Sequence, residues 1–122
     1  MPSVLVTGAS RGIGLAITRH MSDRDWDVHA TARSAADLRA LDRLPRVHPI
    51  QLDVTDRSAV ASLGEHLPPM LNGVVNNAGI IVQGPIEGMA LENLSRQLDV
   101  NVTAQIGVIQ AVLPQIREAR GR

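Results

Sequence analysis

The chain has 122 residues, a formal net charge of zero, no Cys, no Tyr and no Lys, its twelve basic residues all being Arg. That length suits one domain with a buried core. The composition excludes a disulfide framework, a thiolate nucleophile or metal site, and any mechanism that draws a phenol or an amine from these residues; the neutral balance gives no basic field for nucleic acid or an anionic membrane.

In chain order, Val4-Leu5-Val6 is a short apolar run that reads as a buried strand. Glycines come next at 8, 12 and 14, spaced G-x-x-x-G-x-G, and apolar residues at 13, 16, 17 and 21 then keep helical spacing to Ser22. Strand, glycine turn and helix together make a phosphate site. Gly8 turns the chain off the strand, Gly12 keeps a Cβ away from an approaching pyrophosphate, and Gly14 lets helix and sheet pack closely. The helix N-terminus offers free N–H groups and a positive dipole end. Gly8, Ser10, Arg11, Gly12, Ile13 and Gly14 are therefore candidate cofactor ligands.

Asp23 to Asp25 is a polar turn, and Trp26 to Ala32 reads as a second strand, with Trp26 at the edge of the core. Arg33 lies 19 residues beyond Gly14, where a dinucleotide fold tests the adenine ribose. An acidic residue there favours a free 2′-hydroxyl; Arg33, with Arg11, favours a 2′-phosphate through the guanidinium fork. Ser34 and Asp37 form a candidate capping box for a helix through Arg43, stopped by Pro45. Val47 to Leu52 reads as a third strand, placed at a sheet edge by Pro49. Asp53-Val54 ends it, Asp53 being a candidate acceptor for an adenine amino group, and Thr55 is a candidate cap for a helix to about His66.

Gly73 to Val75 opens a fourth strand that ends in Asn76-Asn77-Ala78-Gly79. Small residues there suit a close ligand approach, and the Asn side chains either bridge strands or bind ribose. Residues 80–90 form a loop. Apolar spacing then gives one long helix from Ala90 to Ala119, which Pro114 should kink or break; Asn101 sits beside its apolar stripe. The four His share no metal-ligand spacing, so no metal is expected. The alternation implies an α/β fold of Rossmann type, a parallel sheet flanked by helices, with the candidates gathered beyond the strands' C-terminal ends.

Together these features resemble the N-terminal half of the short-chain dehydrogenase/reductase family. Thr7 to Gly14 matches its cofactor loop, Asp53-Val54 its adenine contact, Asn76 to Gly79 its N-N-A-G motif and Asn101 its helix Asn. The resemblance covers essentially all 122 residues. It implies a dinucleotide-binding domain over residues 1–122, cofactor contacts at Asn77, Ala78 and Gly79, and a catalytic contribution from Asn101 in holding a water of the proton relay. Arg11 and Arg33 resemble the NADP-preferring members, so NADP(H) is the expected cofactor over NAD(H).

The family's catalytic Ser, its Tyr-x-x-x-Lys pair and the later strands are not in this sequence; in the resemblance, Gly121-Arg122 is where a fifth strand begins. The expectation is thus a fold truncated after the fourth strand and its long helix: the cofactor half of an oxidoreductase acting on an alcohol or carbonyl substrate. The alternative is a non-catalytic nucleotide-binding module, or an interaction module using the open edge of the fourth strand. Short apolar runs and a strand starting near Met1 lead us to expect a cytoplasmic location, with no leader and no membrane partner. The open strand edge and the long helix lead us to expect homo-oligomers.

Overall fold

The computed structural model describes residues 1–122. Its elements are β1 (Ser3–Val6), α1 (Gly12–Ser22), β2 (Asp27–Ala32), α2 (Ala35–Asp42), β3 (Val47–Gln51), α3 (Arg57–Ala61), β4 (Gly73–Val75), α4 (Leu91–Leu98) and α5 (Ala104–Ala119). The four strands form one parallel sheet in the order β3-β2-β1-β4. This is the expected Rossmann-like α/β architecture. No helix is long and apolar enough to cross a membrane.

Strand parity divides the core between the two faces of the sheet. Val4 and Val6 join Val28, Ala30, Ala32 and Leu41 on the face that α1 and α2 cover. Leu5 points the other way, to Val60, Leu63, Leu71, Val108 and Val112 beneath α3 and α5. Both faces are therefore covered, as a parallel sheet requires. Leu5 is fully buried, and burying such a side chain stabilises by about 1.5–3 kcal/mol.

Pro49 pairs with Ala30, and β3 is an edge strand as expected. An edge is where a residue without an N–H costs no ladder bond. At the other edge, Arg122 N–H donates to Asn72 O at 3.0 Å while Val74 N–H donates to Arg122 O at 2.8 Å. That is a parallel ladder step, so Arg122 lies beside Gly73 where a further strand would run.

Several local expectations need correction. β2 starts at Asp27, and Trp26 before it packs partly buried against the first cluster. Asp56, not Thr55, caps α3, its carboxylate accepting from Ala59 N at 3.1 Å. Thr55 instead closes a turn on Asp53. The helix expected to His66 breaks after Ala61 and continues as a 3-10 turn, Leu63–His66. Ser34 caps α2, accepting from Asp37 N at 3.1 Å. Pro114 lies inside an unbroken α5. The interruption falls earlier, at a π turn over Asp99–Thr103, which separates α4 from α5. A π turn adds a residue to the helical turn and re-aims the helix beyond it.

Leu91, Leu94, Leu98, Val102, Ile106 and Ile109 stay exposed along the outer face of α4 and α5. His29 and His48, paired across β2 and β3, stack with ring centroids 5.0 Å apart. Burial holds the His29 pKa below the ordinary imidazole value; His48 adds to this, and Asp27 opposes it. The unfolded chain therefore binds a proton at His29 before the folded chain does. Stability should be fully present above the unfolded value, about 6.5, and fall as pH drops below it. We expect the urea midpoint to decline between neutral pH and about pH 5.5, and His29→Gln to flatten that decline.

Candidate functional site

The site is built from the end of β1. Thr7 is buried, and its Oγ1 accepts from the N–H groups of both Asn77 and Ala78 at 3.1 Å. Asn77 returns the contact, its Nδ2 donating to Thr7 O at 3.2 Å and Gly8 O at 3.0 Å. From the other side, Ala9 N–H donates to Thr31 O at 2.9 Å and Gly8 N–H to Thr31 Oγ1 at 3.3 Å. The glycine turn is thus fastened to β4 and β2 at once. Asn77 takes the strand-bridging alternative of its two expected roles.

This close packing explains the glycines. A Cβ on Gly14 would overlap the Gly8 carbonyl and the Asn77 amide, and one on Gly8 would lie 2.9 Å from Ala78 Cα. Gly12 shares the left-handed backbone of Gly8, with φ of +58° and +62°, but differs in that a Cβ there would meet nothing within 4 Å. The open side of the turn is at Gly12, at the start of α1. Arg11 in extended conformation precedes α1 without a side-chain cap. The N–H groups of Ile13 and Gly14 donate to no acceptor in the chain. Uncapped first-turn N–H groups of this kind suit an anion.

A cleft of about 850 Å³ opens beyond the strand ends. One wall carries Gly8, Ser10, Arg11, Arg33, Asp53 and Val54; the other carries Asn77, Ala78 and Gly79. All nine were expected at the site. Gly12, Ile13, Gly14 and Asn101 do not line the cleft. Gly14 is buried behind the turn, whereas the Ile13 side chain points to solvent and is 74% exposed. Asp53 accepts from Thr55 Oγ1 at 2.7 Å and Thr55 N at 2.9 Å. These two hydrogen bonds, aided by the nearby Arg33 charge, hold its carboxyl below the usual carboxylate range.

Asn101 faces the loop after β4. Its Oδ1 accepts from Ile80 N at 2.9 Å and its Nδ2 donates to Ile80 O at 2.8 Å. One helical turn earlier, Gln97 Oε1 accepts from Val82 N at 3.1 Å and Nε2 donates to Val82 O at 3.4 Å. Two side-chain amides thus imitate a strand edge and hold the backbones of Ile80 and Val82. This fixes the second wall, which also includes Ile80, Ser95, Arg96, Asp99 and Val100. Sequence reasoning passed over these wall residues and Thr31. The one available signal was Val100, an apolar residue beside Asn101.

The turn is intolerant of added volume on its packed side. Gly14→Ala should destabilise by about 1–3 kcal/mol, and Asn77→Ala by about the same through orphaned carbonyls, both read from urea midpoints. Gly12→Ala should cost less than Gly14→Ala, because only its backbone conformation is strained.

The sequence model of the short chain dehydrogenase family matches residues 2–122. The chain is 34% identical over 125 residues to a 3-amino-tetrahydro-pyrrolizinone reductase of Xenorhabdus hominickii, covering 98% of this chain and 43% of that protein. It is 35% identical over 123 residues to sulfoacetaldehyde reductase 2 of Chromohalobacter salexigens, covering 94% of this chain and 49% of that protein. The closed form of a serine dehydrogenase complexed with NADP+ superposes with a TM-score of 0.89 at 33% identity, covering 98% of this chain and 50% of that one. The chain spans less than half the length of the two reductases it matches. With the motifs in order and the fold shared, the chain belongs to the short-chain dehydrogenase family of oxidoreductases.

Proposed function

We propose that residues 1–122 are the dinucleotide-binding portion of an NADP(H)-dependent oxidoreductase acting on an alcohol or carbonyl substrate. The observation that carries this reading is the cleft itself. Gly8, Ser10 and two arginines without ion pairs, Arg11 and Arg33, line it, and directly after Arg11 the turn leaves open space at Gly12 and, at Ile13 and Gly14, N–H groups with no acceptor in the chain. A dinucleotide suits that set: the turn takes the diphosphate, Arg11 and Arg33 the 2′-phosphate, and Asp53, Val54, Ala78 and Val100 the adenine. NAD(H) lacks the 2′-phosphate and is the weaker cofactor in this account.

The bound nicotinamide supplies or takes the hydride. The chain's own residues bind and orient. Ser10 and Gly79 edge the cleft, and Asn101 holds Ile80 and so the wall beside which the substrate would approach. Hydride transfer to a carbonyl also needs a proton for the developing alkoxide. With no Tyr and no Lys, these residues do not supply the family's donor. We therefore expect no carbonyl reduction by the 122 residues alone. The exposed apolar stripe on α4 and α5 supports a homo-oligomer, and we place the protein in the cytoplasm.

Calorimetric titration of the purified chain tests this. NADPH should bind saturably and more tightly than NADH, and Arg33→Ala should weaken NADPH about tenfold, roughly 1.4 kcal/mol, while changing NADH little. Equal or tighter binding of NADH would count against the 2′-phosphate assignment. Turnover of a carbonyl substrate by the homogeneous chain would overturn the expectation of inactivity.

A further inference from the structure

We propose that Arg96 is a third ligand for the cofactor's 2′-phosphate, reaching it from the wall of the cleft opposite Arg33. The inference rests on the NADP(H) reading above and extends it to a residue outside the glycine turn and the strand ends. Three guanidinium groups line the cleft, those of Arg11, Arg33 and Arg96, and none makes an ion pair within the chain. The two carboxylates of the cleft are already engaged. Asp53 is held by Thr55, and Asp99 pairs with Arg57 at 3.1 Å. Asp53, kept charged by its Thr55 hydrogen bonds and close to Arg33, is then the one carboxylate facing three cations, so the cleft keeps an excess of positive charge that a multiply charged anion offsets.

The placement of Arg96 selects the adenosine end of the cleft. The contacts of Gln97 with Val82 set the rotation of α4. The Arg57–Asp99 pair ties the end of α4 to the start of α3, just past the turn that Asp53 makes with Thr55. Arg96 precedes Val100 by one helical turn and so shares its cleft-facing side. Arg33 stands beside Asp53, at the same end. Arg96 is exposed, with a side chain long enough to fold inward, and its planar donor fork takes a phosphate through two hydrogen bonds. The 2′-phosphate would then lie between one arginine just past the end of β2 and one from α4.

The test titrates wild type, Arg33→Ala, Arg96→Gln and Arg96→Lys, each as the full chain, with NADPH and with NADH. Matching circular dichroism establishes that the variants fold, as their exposed positions lead us to expect. Arg96→Gln should raise the NADPH Kd about fivefold and change the NADH Kd by less than about twofold. Arg96→Lys, which keeps charge but loses the fork, should fall between. The salt dependence of NADPH binding should be shallower in Arg96→Gln than in wild type. If wild type prefers NADPH and Arg33→Ala loses that preference while Arg96→Gln keeps it, this inference is overturned and the cofactor reading survives. Equal weakening of both cofactors by Arg96→Gln overturns it too, since Arg96 would then act on a shared part. A wild type with no preference for NADPH overturns the cofactor reading and this inference together.

Discussion

The hydrogen bonds between Thr7 and Asn77 are the constraint on which the rest of the site depends. Thr7 accepts two N–H groups from the end of β4, and Asn77 donates twice to the end of β1. Both strands stop here, where ladder bonds run out and backbone carbonyls would otherwise be orphaned. A buried carbonyl without a donor costs about 1–3 kcal/mol. The interlock satisfies those carbonyls and sets how far the glycine turn stands from the sheet. Gly8 and Gly14 have no side chains because the space a Cβ would need is already filled by this contact. With the packed side of the turn closed, Gly8, Ser10 and Arg11 line the cleft, and the uncapped start of α1 follows directly after them.

The opposite wall is held by a different device. Gln97 and Asn101 pair through their amides with the backbone of Val82 and Ile80, so this loop gains partners without a neighbouring strand. The two amides lie one turn apart, on either side of the boundary between α4 and the π turn. Local departures from α-helix often fall at functional sites, and here the departure includes Asp99 and Val100, which line the cleft. The hydrogen bonds that hold both walls are made within the chain itself, which lowers the ordering cost of binding a ligand between them.

Much of this was legible in the residues. The apolar run at Val4 to Val6, the glycine spacing and Pro49 each point to one local structure, and the strand order accords with parallel crossovers. The turn, Arg33, Asp53 and the residues after β4 converge because ligands of such sheets bind beyond the strand ends. Less was legible where partners come from distant segments. Asp56 displaced Thr55 as the cap of α3 because Thr55 was already committed to Asp53. Pro114 did not interrupt α5, whereas the π turn at Asp99 has no signature in residue types alone. Thr31 and Arg96 look like an ordinary strand residue and an ordinary surface cation until the fold places them at the cleft. Asn101 and Asn77 could be singled out, but the groups they hold could not.

The central claim is that these residues form a dinucleotide half-site around the Thr7–Asn77 interlock. The most direct test is to map NADPH binding on the isotope-labelled chain by amide resonance shifts. The account predicts the largest changes at the amides of Gly12, Ile13 and Gly14, with further changes at Arg33, Asp53-Val54, Ala78-Gly79 and Val100. Changes confined to the outer face of α4 and α5, or a glycine turn that stays unperturbed at saturation, would contradict it.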